Sequence, residues 1–168
     1  PPKHVELKGA TGTILAGTGP VGQRAARLLA QQGATVRLAS RTLSKAEESC
    51  QAIRSRVPGA NLQAVATANV DDTAAAVAGA QIVIAAGAAG IRLLSAAGLQ
   101  QAKSLQVAID LNAVPPLGIE GIEVMDKARE RSGIQCYGAI GVGGTTMQIH
   151  RSEIEQPLTR TDLVLDPE

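Results

Sequence analysis

Thr13-Ile14-Leu15-Ala16-Gly17-Thr18-Gly19-Pro20-Val21-Gly22 decides the fold. A short apolar run enters a Gly-rich turn, and the turn opens a segment with helical periodicity. The turn fits G-x-G-x-x-G in the strand–turn–helix setting where that pattern has a physical meaning. Gly17 permits the tight turn. Gly19 lets a pyrophosphate approach the backbone. Gly22 lets the helix pack close to the strand. Phosphates then face the free N–H groups at the positive end of the helix. Gly17, Thr18, Gly19, Pro20, Val21 and Gly22 are therefore candidate dinucleotide contacts.

Working outward, strand-like and helix-like segments alternate along the chain. Pro20 to Gln32 reads as a helix with Val21, Ala25, Leu28 and Leu29 on one face, ended by Gly33 at the C′ position. Thr35 to Ala39 is a second strand. Ser44-Lys45-Ala46-Glu47 reads as a capping box opening a helix to about Arg56, with a turn at Pro58-Gly59. Leu62 to Thr67 is a third strand, and Asp71 to Ala78 a short helix. Gln81 to Ala86, apolar on both faces, suits a central parallel strand. A helix to about Ala102 is expected after Gly87–Gly90, then a strand at Gln106 to Asp110 and a Pro-containing loop from Asn112 to Gly121. Val124 to Arg131 reads as helix, Ile134 to Ile140 as a sixth strand, and Gly144 to Glu155 as a last helix. Such alternation predicts one doubly wound α/β domain over residues 1–168: a parallel, Rossmann-like sheet between two helix layers, with the first strand central.

Composition narrows the function. The 168 residues are 45% hydrophobic and 18% charged, a globular balance for one domain. A net charge of +1 and an aromatic content of 1% argue against nucleic-acid binding, since neither a basic field nor a base-stacking platform is present. Cys50 and Cys136 lack metal-ligand spacing, so no metal site is expected, and two buried reduced thiols suit a cytoplasmic protein. No apolar run approaches the roughly 18 residues a membrane helix needs, so no membrane partner is expected. No catalytic triad or nucleophile elbow is visible. His4 and His150 have no partners at ligand spacing, and Arg24 and Arg27 are most simply solvent-facing.

Three further stretches fall where a doubly wound sheet presents strand ends to a ligand. Ser40-Arg41-Thr42 occupies the place, about 20 residues after the first Gly, where NAD-specific folds carry an acid for the ribose 2′-OH. No acid lies nearby. Arg41 offers a charge-assisted bond to a 2′-phosphate, Ser40, Thr42 and Ser44 offer hydroxyls, and Lys45 adds positive charge, so NADP is expected before NAD. Ala86-Gly87-Ala88-Ala89-Gly90 leaves room for ribose and nicotinamide, with Ala86, Gly87 and Ala88 as contacts. Asn112 can hydrogen-bond the nicotinamide carboxamide or a substrate. Asp110 reads either as a functional carboxylate or as a cap for local backbone N–H groups.

Taken with Leu15–Gly22, the stretches Asp110-Leu111-Asn112-Ala113-Val114-Pro115-Pro116-Leu117-Gly118-Ile119-Glu120-Gly121-Ile122 and Tyr137-Gly138-Ala139-Ile140-Gly141-Val142-Gly143-Gly144, continuing to His150-Arg151, resemble the NADP-binding domain of the methylene-tetrahydromethanopterin dehydrogenase family. The resemblance covers roughly residues 7–152. It implies hydride transfer from the methylene bridge of a pterin or folate C1 carrier to NAD(P), in one-carbon metabolism. The carrier's own nitrogens stabilise the resulting cation, so positioning is the work left to the protein and no catalytic residue is expected. It also implies a pterin-binding domain before this one, expected to be absent from this chain, and a homo-oligomeric assembly. Ser40-Arg41-Thr42 with Lys45-Ala46-Glu47 also suits NADP domains of shikimate-dehydrogenase-like or glutamyl-tRNA-reductase-like enzymes. A non-catalytic NAD(P)-binding module is the reading from a different class.

Overall fold

The computed structural model describes residues 6–140 and the backbone of two short strands, Met147–His150 and Glu155–Leu158. Strands β1 (Thr11–Leu15), β2 (Thr35–Ser40), β3 (Leu62–Ala66), β4 (Ile82–Ala85), β5 (Val107–Asp110), β6 (Arg129–Arg131) and β7 (Ile134–Tyr137) form one sheet in the order β3-β2-β1-β4-β5-β7-β6. All neighbours are parallel except the β6–β7 pair. The chain runs outward from β1 to β3, then returns to place β4 on the other side of β1. Strand order thus reverses between β1 and β4, and a crevice opens there at the carboxyl edge.

Two helices, α1 (Pro20–Gln31) and α2 (Leu43–Arg56), connect β1 to β2 and β2 to β3. They share a core with Ile14, Val36 and Leu38. On the other face, α3 (Val70–Val77) and α4 (Ala96–Gln101) contribute Val77 and Leu99 to a core with Leu15, Ala39 and Val83. All four residues of β4 are buried, as a strand covered on both faces requires. Small residues bring α1 close to the sheet: Gly22, Ala25, Ala26 and Ala30 are buried along it, and a Cβ at Gly12 would stand 3.0 Å from Leu29 Cδ1. The buried face is rotated from the expected one, because Val21 is exposed and Leu28 only partly buried. Gly33 ends α1 at φ +86, where a side chain would be strained.

Four elements differ from the sequence reading. Thr42, not Ser44, is the N-cap of α2, and it makes no side-chain cap bond; Ser44 lies within the first turn. The helix expected from Gly90 to Ala102 is shortened to α4, because residues 91–94 bond to the next loop instead. Its cap is Ser95, whose Oγ accepts the Gly98 N–H at 3.0 Å. Residues 124–131 are not helical: Arg129–Arg131 is the antiparallel edge strand β6, joined to β7 through Ser132 and Gly133, both at positive φ. The last helix fails where it can be seen. Met147–His150 (β8), including His150, pairs antiparallel with Glu155–Leu158 (β9). The rest of that expected helix lies outside the described residues.

Candidate functional site: the carboxyl edge of the sheet

β1 delivers the Gly-rich turn to the crevice. Ala16 sits at φ +52, and the Gly17 N–H donates to the Ala39 carbonyl at 2.9 Å, tying the turn to β2. A Cβ on Gly17 would lie 2.5 Å from Leu38 Cδ1, and one on Gly22 would lie 2.5 Å from the Gly17 Cα. These two glycines let turn and helix interpenetrate. Gly19 differs: a Cβ there would meet no protein atom within 4 Å. Its bareness serves nothing inside the protein and leaves a cradle open at the N-terminus of α1. Gly19 is the N-cap without a side-chain bond, and Pro20 is the first helical residue. The Gln23 side chain, which the sequence reading passed over, donates to the Thr18 carbonyl at 2.7 Å and fixes the turn from one helical turn away.

Each remaining predicted contact lies at an adjacent strand end. On the β2 side, Ser40 is buried and its Oγ accepts the Thr42 N–H at 3.4 Å, while Arg41, Thr42 and Lys45 are exposed. Neither Arg41 nor Lys45 has an ion-pair partner among the described residues. On the β4 side, the Ala86 N–H donates to the Leu15 carbonyl at 3.0 Å, and a Cβ on Gly87 would lie 3.3 Å from the Ala16 Cβ, so residues 86–88 lie directly beside the turn.

Asn112 follows β5, buried, with its amide engaged in its own loop: Nδ2 donates to the Pro116 carbonyl at 3.2 Å and Oδ1 accepts the Val114 N–H at 3.0 Å. Asp110 takes the capping role. Fully buried, it accepts the Asn112 N–H at 3.0 Å and the Ile119 N–H at 2.8 Å. Burial pushes its carboxyl above the usual range, against the pull of the Ile119, Asn112 and Gly118 amides.

The edge is also apolar. Of seven large hydrophobic residues exposed among the described ones, six follow a strand's carboxyl end: Val21, Leu43, Val70, Ile91, Val114 and Ile140. Neither thiol offers a nucleophile there. Both cysteines are buried, and burial pushes the Cys136 thiol up to about 11. No group of three or more metal-ligating side chains occurs among the described residues. No helix of the described residues is long and apolar enough to cross a membrane.

Comparison with known proteins agrees with this geometry. Residues 16–155 match the family model described as NAD(P)H-binding. The bifunctional protein MdtA of Methylorubrum extorquens strain AM1 is 42% identical over 162 residues, covering 96% of this chain and 56% of the relative. The NAD(P)-dependent methylenetetrahydromethanopterin dehydrogenase of the same organism is 36% identical over 146 residues, covering 85% and 49%. The chain thus spans about half the length of these relatives. Among solved structures, L-sorbose reductase from Gluconobacter frateurii, complexed with NADPH and L-sorbose, aligns with a TM-score of 0.49 at 15% identity, covering 62% of this chain and 53% of that one. A fingerprint turn at the carboxyl end of a central parallel strand, open only at Gly19, and a family match over most of its length place one conclusion beyond the fold: this chain belongs to the NAD(P)H-binding family.

Proposed function

We propose that this domain holds NADP for hydride transfer from methylene-tetrahydromethanopterin, or the corresponding tetrahydrofolate, in one-carbon metabolism. Support for the reaction comes from the two Methylorubrum relatives, one of which is named for that dehydrogenase. Support for the cofactor comes from one observation: Arg41 is exposed at the end of β2, without an ion-pair partner among the described residues, where an acid would serve NAD. NADP, when bound, would supply a hydride acceptor, and the carrier's own nitrogens would keep the positive charge.

The protein's part is to hold and shield. The turn from Gly17 to Gly22 holds the pyrophosphate against backbone. Ser40, Arg41, Thr42 and Lys45 hold the 2′-phosphate. Ala86, Gly87, Ala88 and Asn112 bound the ribose–nicotinamide side. Ile91, Val114 and Ile140 give that side an apolar surface for the carrier ring. No general acid or base is required, so orientation supplies the rate.

Cofactor choice is tested by titrating NADP and NAD into the wild type and Arg41→Ala. A charge-assisted bond contributes roughly 1.5–3 kcal/mol, so NADP should bind about ten- to a hundredfold more weakly, with NAD hardly changed. The loss should shrink at high salt, where an exposed ion pair is screened. Equal losses for both nucleotides would mean that Arg41 acts on the adenine or the fold. The substrate is tested by a hydride-transfer assay of the full-length protein with each carrier. Turnover with neither sinks that half of the proposal.

A further inference from the structure

The loops after β4 and β5 are not independent. The N–H groups of Leu93 and Leu94 both donate to the Gly118 carbonyl, at 2.8 and 3.0 Å, and the Glu120 N–H donates back to the Leu94 carbonyl at 2.9 Å. Arg92 and Glu120 add an exposed ion pair at 2.9 Å. Leu93 in turn packs under Gly87, where a Cβ would lie 2.8 Å from Leu93 Cδ1, and Gly87 abuts Ala16 of the phosphate turn. Two loops thereby form one wall of the crevice.

At the root of that wall stands Asp110. Its two oxygens receive the Asn112 and Ile119 amides, and the Gly118 amide also donates toward it. Position 118 is tight, since a Cβ there would lie 3.0 Å from Asp110 Oδ1 and 3.0 Å from the Ala85 Cβ, so a side chain would press on the carboxylate. A carboxylate suits this place and an amide does not. Asparagine has one acceptor oxygen, so its NH₂ would confront a backbone donor. A buried donor without an acceptor is costly in a way a surface one is not.

We infer that Asp110 is a positioning residue for hydride transfer: its buried carboxylate locks residues 86–94 and 112–120 into a single preformed wall on the nicotinamide side of the crevice. Among the described residues its hydrogen bonds come from Asn112, Gly118 and Ile119, not from the phosphate turn or Arg41, so it governs geometry at the reacting end and not nucleotide affinity. This rests on the proposed function for its consequence, but the lock is a property of the chain itself.

Asp110→Asn tests it with two independent readouts. Amide hydrogen exchange at Leu93, Leu94, Ile119 and Glu120 should accelerate about ten- to a hundredfold, with residues 12–22 unchanged. In the full-length protein kcat should fall by about tenfold or more while KM for NADP changes less than about threefold. Should Asp110→Asn fail to fold, Gly118→Ala, which pushes on the same oxygen, should give the same pattern more weakly. Unchanged exchange at those four amides overturns the inference, as does a nucleotide KM that rises with the loss of kcat. If the unsubstituted full-length protein transfers no hydride from either carrier, the proposed substrate falls, and exchange alone decides the lock.

Discussion

Three glycines of one motif do different work, and substitution separates them. Gly19→Val places its branched side chain in open space, so the fold should survive with stability within about 0.5 kcal/mol of wild type. Nucleotide binding should vanish, because the side chain fills the phosphate cradle. Gly22→Ala is the opposite case. Its Cβ would overlap the Gly17 backbone, so it should destabilise by about 1–3 kcal/mol, the range for an overpacked core. Thermal unfolding and calorimetric titration of both variants would show the contrast. A Gly19→Val protein that binds NADP as tightly as wild type, with normal circular dichroism, would place the phosphates elsewhere. The sequence pattern already assigns each glycine its own part, and the surroundings of each missing Cβ give the physical reason, crowded at Gly17 and Gly22 and open at Gly19.

Elements with strong local signals follow the sequence, and those governed by distant contacts do not. β1, α1 and Gly33 were legible from apolar spacing and a C′ glycine. Residues 91–94 were not, since the Leu93 and Leu94 N–H groups bond to Gly118, far along the chain. The β6–β7 hairpin was legible in principle: Ser132-Gly133 is a two-residue turn signal, overlooked because residues 124–131 carry a helix-like mixture of apolar and charged types. Of the candidate site, the position of the Gly-rich turn after β1 and of Arg41 after β2 was legible, whereas Asp110 could not be assigned without knowing which amides reach it.

Asp126 anchors the hairpin. Nearly buried, it accepts Arg131 Nε at 2.9 Å and Nη2 at 2.8 Å, with the Glu123 N–H at 2.9 Å. Burial alone would push its carboxyl up. The Arg131 hydrogen bonds, the Glu123 amide and the nearby charges of Arg131 and Arg129 outweigh burial and hold it below the ordinary range. A depressed carboxyl stabilises the fold above its unfolded value, and that stability is lost as pH falls through the folded value. Asp126→Asn should therefore cost about 1.5–3 kcal/mol at neutral pH, the range for hydrogen bonds to a charged group. The difference from wild type should narrow as pH drops below the ordinary Asp range. Denaturant unfolding at several pH values measures this, and a pH-independent difference would mean that the pair contributes only through shape.

At the scale of the molecule, the apolar rim and the strand order each carry a consequence. The rim residues Ile91 and Val114 touch no phosphate site, so Ile91→Ser with Val114→Ser should leave NADP affinity unchanged. The same pair should raise the carrier KM of the full-length protein about five- to a hundredfold, by the loss of roughly 1–3 kcal/mol of apolar contact. Unchanged carrier KM would remove those residues from the substrate surface. The strand order bears on how the chain reaches this state at all. Five of the six neighbouring pairs in the seven-stranded sheet are parallel, so each must wait for a connecting segment to close. The β1–β4 pair waits longest, since it joins Gly12 to Ile82 across three helical connections, α1, α2 and α3. Within this sheet only β6 and β7 meet through a tight turn. Refolding should then be limited by assembly of the centre, in milliseconds to seconds, with the hairpin ready early. Ile84→Val, in the centre, should slow refolding, because its contacts form in the limiting step. The crevice between β1 and β4 thus cannot exist before β4 is made, so a nascent chain has no complete nucleotide crevice until the first four of the sheet's seven strands have been synthesised.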